Sequence, residues 1–450
     1  MAERLFGTNG VRGVVNQDMN VQLAMDLGKA IGTFMSGKVA IGTDSRTSAT
    51  MIKSAVSSGL MSAGADVLDL GMVPTPVVQY FVKVNGLAGG VMITASHNPP
   101  EFNGIKCVDA DGTEMPRAKE EEIERIYFSK GFAAREWDEV GDMRKVSGAV
   151  SAYLNNVLNN VDSAAIRVAG LTAVLDCANG AGAVSAPQLL DDLNVRAITL
   201  NSNPQGTFPG HPSEPVESHL KDLIAMVKGS GADLGIAHDG DADRTIFVDE
   251  KGRYLYGDKS LAIVAEYMVR KNGGGTVVTP VSSSMAVEDV VKRAGGEIVY
   301  TRVGAPIVAR KMIEVGAVFG GEENGGLIFP EHQYCRDGAM TVAKMLEIIA
   351  QEGPLSKLVD AIPQYSQDKR KMTCPDEKKE AVLTGLVEHY KNERVDTTDG
   401  VKIIYDDGWT LVRPSGTEPL FRIYSEARTE EEAKRRSEEC ESVLAGLIRA

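Results

Sequence analysis

Three aspartates alternate with small residues in Asp239-Gly-Asp-Ala-Asp243, and Arg244 follows at once. Carboxylates spaced in this way, with glycine after the first, can fold around one hard cation at ~2.0–2.6 Å. The flanking runs LGIAH and TIFVD are apolar. Burying three acids beside them costs free energy unless a cation neutralises the group, which disfavours a plain solvated turn. A calcium loop is also excluded. Counting from Asp239 puts Glu250 at the right distance, but Arg244 stands where an EF-hand needs glycine, and Thr245–Asp249 reads as strand where a helix should begin.

A second chemistry-bearing loop is Thr94-Ala-Ser-His-Asn-Pro-Pro100. It follows an apolar run, and ligands of α/β sheets gather at the carboxyl ends of strands, so Ser96 is placed as a nucleophile. The competing reading is a turn, since Ser, Asn and Pro are turn formers. A serine-hydrolase site does not fit: there is no GxSxG elbow, and His97, adjacent in the chain, would be expected to point elsewhere. Gly320-Gly-Glu-Glu-Asn-Gly-Gly326 offers carboxylates and an amide on a flexible backbone. Arg413-Pro-Ser-Gly-Thr-Glu-Pro419 offers a guanidinium, two hydroxyls and open backbone N–H groups, with Arg422 on the next strand. Those are the parts of a phosphate nest, or of a tight hairpin carrying an incidental arginine. Asn179-Gly-Ala-Gly-Ala-Val-Ser185 nearly spells a dinucleotide fingerprint. Its third glycine is serine, and no acidic residue ends a strand some twenty residues on, so it is set aside.

The elements that must hold these loops alternate. Lys38–Asp44, Ala65–Met72 and Gly89–His97 read as strands, with helices over Ser48–Ala63 and Pro74–Val84. The rhythm restarts at Leu171–Cys177, Val195–Leu200 and Asp233–His238, and again at Thr276–Val281, Glu297–Val303 and Ala317–Gly321. Strands alternating with helices predict mostly parallel sheets with right-handed crossovers. Each series ends in strand, polar loop, strand, which suggests three unequal copies of one α/β unit. The tail is different: a polar, lysine-rich stretch over 365–380, a helix over Glu380–Lys391, strands Val401–Tyr405, Thr410–Val412 and Leu420–Glu426, and a charged helix over Thr429–Ile448. The expected domains are 1–150 with the serine loop, 151–250 with the aspartate loop, 251–362 with the glutamate loop, and a smaller α+β domain over 363–450.

With 48 basic and 62 acidic residues among 450, the formal net charge is −14, which excludes a general nucleic-acid or anionic-membrane binder. Five scattered cysteines without a CxxC pair fit a reduced compartment. No run approaches ~18 apolar residues and the start lacks an apolar signal core, so a cytoplasmic protein is expected.

Taken in order, TASHNP (94–99), DGDADR (239–244), GEENGG (321–326) and RPSGTEP (413–419) resemble the four motifs of the α-D-phosphohexomutase superfamily. Phe6-Gly-Thr-Asn-Gly-Val-Arg-Gly13 resembles the opening loop of its phosphoglucosamine branch more than of its phosphomannose branch. The resemblance spans essentially the whole chain. It implies four domains around a central cleft, with the fourth smaller and mobile, and a phosphosugar mutase. Ser96 would be a phosphoserine. Asp239, Asp241 and Asp243, with an oxygen of phosphorylated Ser96, would hold Mg2+. Arg12, Lys106 and Arg244 would surround the reacting oxygen, with Lys106 the candidate general base. Glu322 and Asn324 would read sugar hydroxyls. Arg413, Ser415, Gly416 and Thr417, with Arg422 nearby, would hold the phosphate that is not transferred.

The implied reaction is glucosamine 6-phosphate to glucosamine 1-phosphate through a hexose 1,6-bisphosphate that also serves as activator. Mannose or glucose phosphates are the alternative. A Mg2+-dependent sugar phosphatase and a silent sugar-phosphate sensor are more distant ones. A small-molecule sugar phosphate is the expected partner, with no nucleic acid and no membrane; a homodimer is left open. Two positions depart from the family pattern: Asn324 where serine is usual, and Gly326 where histidine is frequent. The second removes an acid/base candidate, and His332 is a nearby substitute or else a surface histidine.

Overall fold

The computed structural model describes residues 4–7, 9–415 and 418–449. They divide into two compact units, one of residues up to 260 with 324–359, the other of 261–323 with 360 onward.

In the first unit, strand Lys38–Thr43 lies between parallel neighbours Asp66–Met72 and Gly89–Ile93. Phe102–Val108 returns antiparallel to Gly89–Ile93, and Val11–Val14 adds antiparallel to Phe102–Val108. The central strands are apolar on both faces because helices cover them: Val39, Ile41, Val91 and Ile93 on one face, and Ala40 and Met92 on the other, have no exposed surface. A second sheet repeats the plan. Thr172–Asp176 is flanked by parallel strands Arg196–Leu200 and Leu234–His238, and Thr245–Asp249 returns antiparallel. The unit also holds the antiparallel hairpin Gly326–Phe329 with Gln333–Arg336, and the buried helix Gly338–Glu352.

In the second unit, Gly275–Pro280 is paired in parallel with Gly296–Thr301 and Phe319–Glu322. A five-stranded antiparallel sheet follows, in the order Ser366–Thr373, Leu420–Ala427, Gly408–Pro414, Val401–Tyr405, Arg394–Asp396. Helices Lys379–His389 and Glu430–Arg449 contribute Val382, Leu386 and Leu444 to the core on one face, against Ile403, Phe421 and Ile423. The other face packs Trp409 and Leu411 on Val281.

The strand expected over Gly89–His97 ends at Ile93, four residues early, and the remainder curls into the serine loop. The lysine-rich stretch over 365–380 contains a full strand, Ser366–Thr373. Among the described residues no helix is long and apolar enough to cross a membrane.

Helices Val21–Met35 and Ala49–Ser62 touch backbone to backbone. A Cβ at Gly59 would lie 2.2 Å from the Met25 carbonyl oxygen, and one at Gly28 would lie 2.4 Å from that of Val56. Gly59→Ala should therefore destabilise the protein by ~1–3 kcal/mol through overpacking, although alanine favours an isolated helix by ~1 kcal/mol. Urea unfolding decides the sign, and a more stable variant would show that these backbones are free to part.

Candidate active site

Ser96 sits in the left-handed region, at φ +52°. For a residue with a Cβ this costs ~1–2 kcal/mol, so the fold must hold it there. Its N–H donates to Thr94 Oγ1 at 2.8 Å, and Thr94 Oγ1 donates to Asp44 Oδ2 at 2.6 Å. Its carbonyl accepts from Arg46 Nη2 at 2.9 Å. The same guanidinium, fully buried, donates to the carbonyls of Asn98 (2.6 Å), Pro99 (2.6 Å) and Phe102 (2.8 Å) and pairs with Asp44 at 3.1 Å. It also lies 5.1 Å from the Phe208 ring centroid. Burial raises the Asp44 carboxyl to about 6 against the pull of Arg46. Asp44 and Arg46 thus fix both peptide groups of Ser96.

The left-handed turn aims Ser96 Oγ at Asp239 Oδ2, to which it donates at 2.8 Å. It also brings His97 back: Nδ1 lies 3.4 Å from Ser96 Oγ, contrary to the expectation that the ring would point away. Burial, with Arg244 and Arg12 nearby, lowers His97 to about 2, so the imidazole is neutral.

Asp239, Asp241 and Asp243 are at most 1% exposed, and one oxygen from each lies within 4.8 Å of the others. The loop approaches the serine loop so closely that a Cβ at Gly240 would lie 2.5 Å from the Ser96 carbonyl oxygen. Around the triplet stand four cations. Lys106 Nζ is 2.7 Å from Asp241 and 3.4 Å from Asp243. Arg244 lies 2.9 Å from Asp239, and Arg336 lies 2.8 Å from Asp243. Arg12, on the strand Val11–Val14, donates to Asn98 Oδ1 at 2.8 Å and to the Ala95 carbonyl at 3.2 Å. Thr75 adds a 2.5 Å hydrogen bond to Asp241.

Asp239 and Asp241 differ in their titration. Burial, with repulsion from Asp243 and Asp241, raises Asp239 to about 7 in spite of Arg244. Burial would raise Asp241 as well, but Lys106 and Thr75 hold it below the usual carboxylate range. Lys106, although buried, is kept charged by Asp241 and Asp243. In this state it neutralises charge and is not a free base.

The residues fit a hard divalent cation. Asp241 Oδ1 and Asp243 Oδ1 are buried without a hydrogen-bond partner, and all donors offered are oxygens.

In the second unit, Arg413 Nε pairs with Asp399 Oδ2 at 2.7 Å, which also accepts from Val303 N at 3.0 Å. Ser415 Oγ accepts from Glu418 N at 3.1 Å, and Arg422 lies 3.5 Å from Glu418. Arg422 faces Arg413 across one strand pair and Lys371 across the other, a row of three cations that repel unless an anion joins them. Gly416 and Thr417 lie outside the described residues. Glu322, 3% exposed, accepts from Gly304 N at 3.1 Å, and Glu323 accepts from Ser282 at 2.9 Å. In the first unit Asn324 Oδ1 accepts from Gly326 N at 3.1 Å.

Four family models match in sequence order: phosphoglucomutase/phosphomannomutase alpha/beta/alpha domain I (residues 3–134), domain II (151–252), domain III (256–365) and the C-terminal domain (370–442). The chain belongs to the phosphoglucomutase/phosphomannomutase family. It is 44% identical over 96% of its length to a Thermococcus kodakarensis "phosphoglucomutase/phosphomannomutase", covering 96% of that protein. It is 41% identical over 98% of its length to a Sulfurisphaera tokodaii "phosphoglucosamine/phosphogalactosamine mutase", covering 99% of it. A crystal structure of a family protein from Burkholderia thailandensis superposes with a TM-score of 0.87 at 26% identity, covering 98% of this chain and 97% of that one. This family member is therefore a phosphohexomutase built from three α/β domains and a smaller C-terminal domain.

The cluster brings together Arg12, Ser96, Lys106, Asp239, Asp241, Asp243 and Arg244, all singled out in the sequence. The sequence reading missed Asp44, Arg46, Thr75, Lys371 and Arg336. Asp44 and Arg46 follow a strand's carboxyl end, the rule that found Ser96. His332 is neither on the surface nor at the cluster. It is 2% exposed, stacked on Tyr80, with Nε2 3.1 Å from Asp337 and Nδ1 3.1 Å from Asn156. The glycine segment set aside as a decoy supports the aspartate loop, Ala181 N donating to the Gly240 carbonyl at 2.9 Å.

Since Asp239 titrates near 7, a cation must displace its proton below that pH. Mn2+ affinity, measured by calorimetry, should rise about five-fold from pH 6 to pH 7, about two-fold more by pH 8, and flatten above that. A flat profile from pH 6 would mean that Asp239 is ionised throughout.

Proposed function

We propose that this phosphohexomutase interconverts glucosamine 6-phosphate and glucosamine 1-phosphate through phosphorylated Ser96 and a 1,6-bisphosphate. The observation that carries the carrier role is the Ser96 hydroxyl directed at Asp239 inside a buried acidic triplet ringed by cations. Asp239, Asp241 and Asp243 would hold Mg2+, which supplies Lewis-acid neutralisation of charge on the reacting oxygens.

The remaining work falls to the chain. The bond from phosphorus to Ser96 Oγ breaks as a bond to a sugar hydroxyl oxygen forms, and the hydroxyl gives up its proton. The bisphosphate then presents its other phosphate to Ser96 and the exchange runs in reverse, so the serine is recharged. Such transfer goes through a loose transition state that needs positioning and neutralisation more than covalent help. Arg12, Arg244 and Lys106 would neutralise the transferring group, and the Asp44–Arg46 clamp keeps Ser96 Oγ in line. Lys106 can take the hydroxyl proton only as the neutral amine, so it must first lose both a proton and the Asp241 partner, 2.7 Å away, that keeps it charged here. Arg413, Ser415, Gly416 and Thr417, with Arg422, would bind a phosphate, and Lys371 joins their row. Glu322 and Asn324 would meet sugar hydroxyls.

The amino sugar is supported by the name of the Sulfurisphaera relative. The chemistry of an ammonium group beside carboxylates such as Glu322 and Glu323 supports it too. The name of the Thermococcus relative favours a second reading, with glucose or mannose phosphates. Sugars that differ at C2 separate by only ~1–3 kcal/mol, so some cross-reaction is expected. Turnover should be compared on glucosamine, glucose and mannose 6-phosphates, each with its bisphosphate in trace. kcat/KM should be highest for glucosamine 6-phosphate, and a clear preference for glucose or mannose 6-phosphate overturns the assignment.

A further inference from the structure

We propose that Arg336 is a positioning residue for Asp243, and that position 326 is glycine because any side chain there would displace Arg336. The inference rests on the reading that the acidic triplet holds a divalent cation.

Asp243 is 1% exposed, and its two oxygens are treated differently. Oδ2 receives Arg336 Nη2 at 2.8 Å and Lys106 Nζ at 3.4 Å. Oδ1 is buried with no hydrogen-bond partner and meets Arg244 Nε only as an ion pair at 3.8 Å. A carboxylate with one oxygen tied down and the other open is oriented as a ligand. The same nitrogen is held by a second carboxylate: Glu114 Oε1 lies 3.4 Å from Nη2 and accepts from Asn9 Nδ2 at 2.6 Å. Arg336 ends the strand Gln333–Arg336, which pairs with Gly326–Phe329, so its stem runs over Gly326. A Cβ built at Gly326 would lie 2.2 Å from Arg336 Cδ and 2.8 Å from its Cγ. Asn324 Oδ1 would lie 3.1 Å away, so the obstructing atoms all belong to side chains and not to backbone, with the arginine much the tighter contact. Alanine at 326 would therefore move the arginine and leave the strand in place.

Charge and positioning predict opposite signs. If Arg336 acted only as a positive charge near the triplet, its removal would relieve repulsion and a divalent cation would bind more tightly. If it orients Asp243, removal weakens binding even though a repulsive charge has gone. Lysine keeps the charge, but its ammonium ends about one bond short of where Nη2 stands, so Arg336→Lys separates the two again.

The experiment is Mn2+ binding to the full chain, read by calorimetry and by the electron paramagnetic resonance of free Mn2+, with thermal unfolding as a check on folding. Wild type is compared with Arg336→Met, Arg336→Lys, Gly326→Ala and the double variant Gly326→Ala/Arg336→Met. Each single variant should raise Kd about ten-fold or more, as lost outer-shell partners do. The double variant should bind within about two-fold of Arg336→Met, because the alanine acts only through the arginine. Unchanged or tighter binding by Arg336→Met overturns the proposal, as does a double variant whose loss is the product of the two single losses. Asp241→Asn is the control for the underlying reading. If wild type binds Mn2+ no better than Asp241→Asn does, the cation site itself is wrong and this proposal falls with it.

Discussion

Three carboxylates that cannot reach water repel one another, and the first unit is arranged around that repulsion. Asp239, Asp241 and Asp243 come from one six-residue loop between two fully buried strands, so the chain cannot spread them apart. What makes the arrangement tolerable is a ring of cations: Arg244 of the same loop, Lys106 and Arg336 from distant strands and, on the strand Val11–Val14, Arg12. Removing one partner of a buried pair typically costs ~3–5 kcal/mol because the other charge is left stranded. The two open oxygens, on Asp241 and Asp243, mark where the compensation is incomplete. The same imbalance that strains the folded chain leaves oxygens fit for a divalent cation beside Ser96, the proposed phosphoryl carrier.

The serine is held by different means. Its left-handed backbone is stabilised by Asp44 and Arg46, which engage its N–H through Thr94 and its carbonyl directly. Arg46 makes four hydrogen bonds to backbone carbonyls of residues 96–102, so that loop has little freedom to relax. Phosphoryl transfer depends on alignment, and under the proposed mechanism a rigid seat for Ser96 Oγ supplies it before substrate arrives. The seat also turns His97 toward Ser96 Oγ as a neutral ring.

Much of this was legible in the sequence where chemistry and periodicity coincide. The central strands are continuous apolar runs with glycine-containing loops at their ends, so Lys38–Thr43, Thr172–Asp176 and Gly275–Pro280 could be placed within a residue or two. The aspartate loop announces itself, since three acids between apolar strands need an explanation. The strand Ser366–Thr373 was hidden because Asp368, Lys369, Arg370 and Lys371 put charge on both of its faces, as suits an edge strand. Arg46, Thr75 and Arg336 were not found because each stands alone in the sequence and acquires its role only from the loop it meets in the fold. His97 was misjudged because adjacent side chains diverge in extended backbone, whereas Ser96 is left-handed. Gly326 read as a missing acid/base group. In the structure its empty side is filled by Arg336.

The proposed mechanism depends on Ser96 carrying the phosphoryl group. The most direct measurement is to incubate the enzyme with glucose 1,6-bisphosphate labelled in its phosphates, quench, digest and locate the label by peptide mass. A single label on Ser96, chased onto added glucosamine 6-phosphate, is the predicted result. Label on another residue, or a Ser96 label that passes only to water, would contradict it.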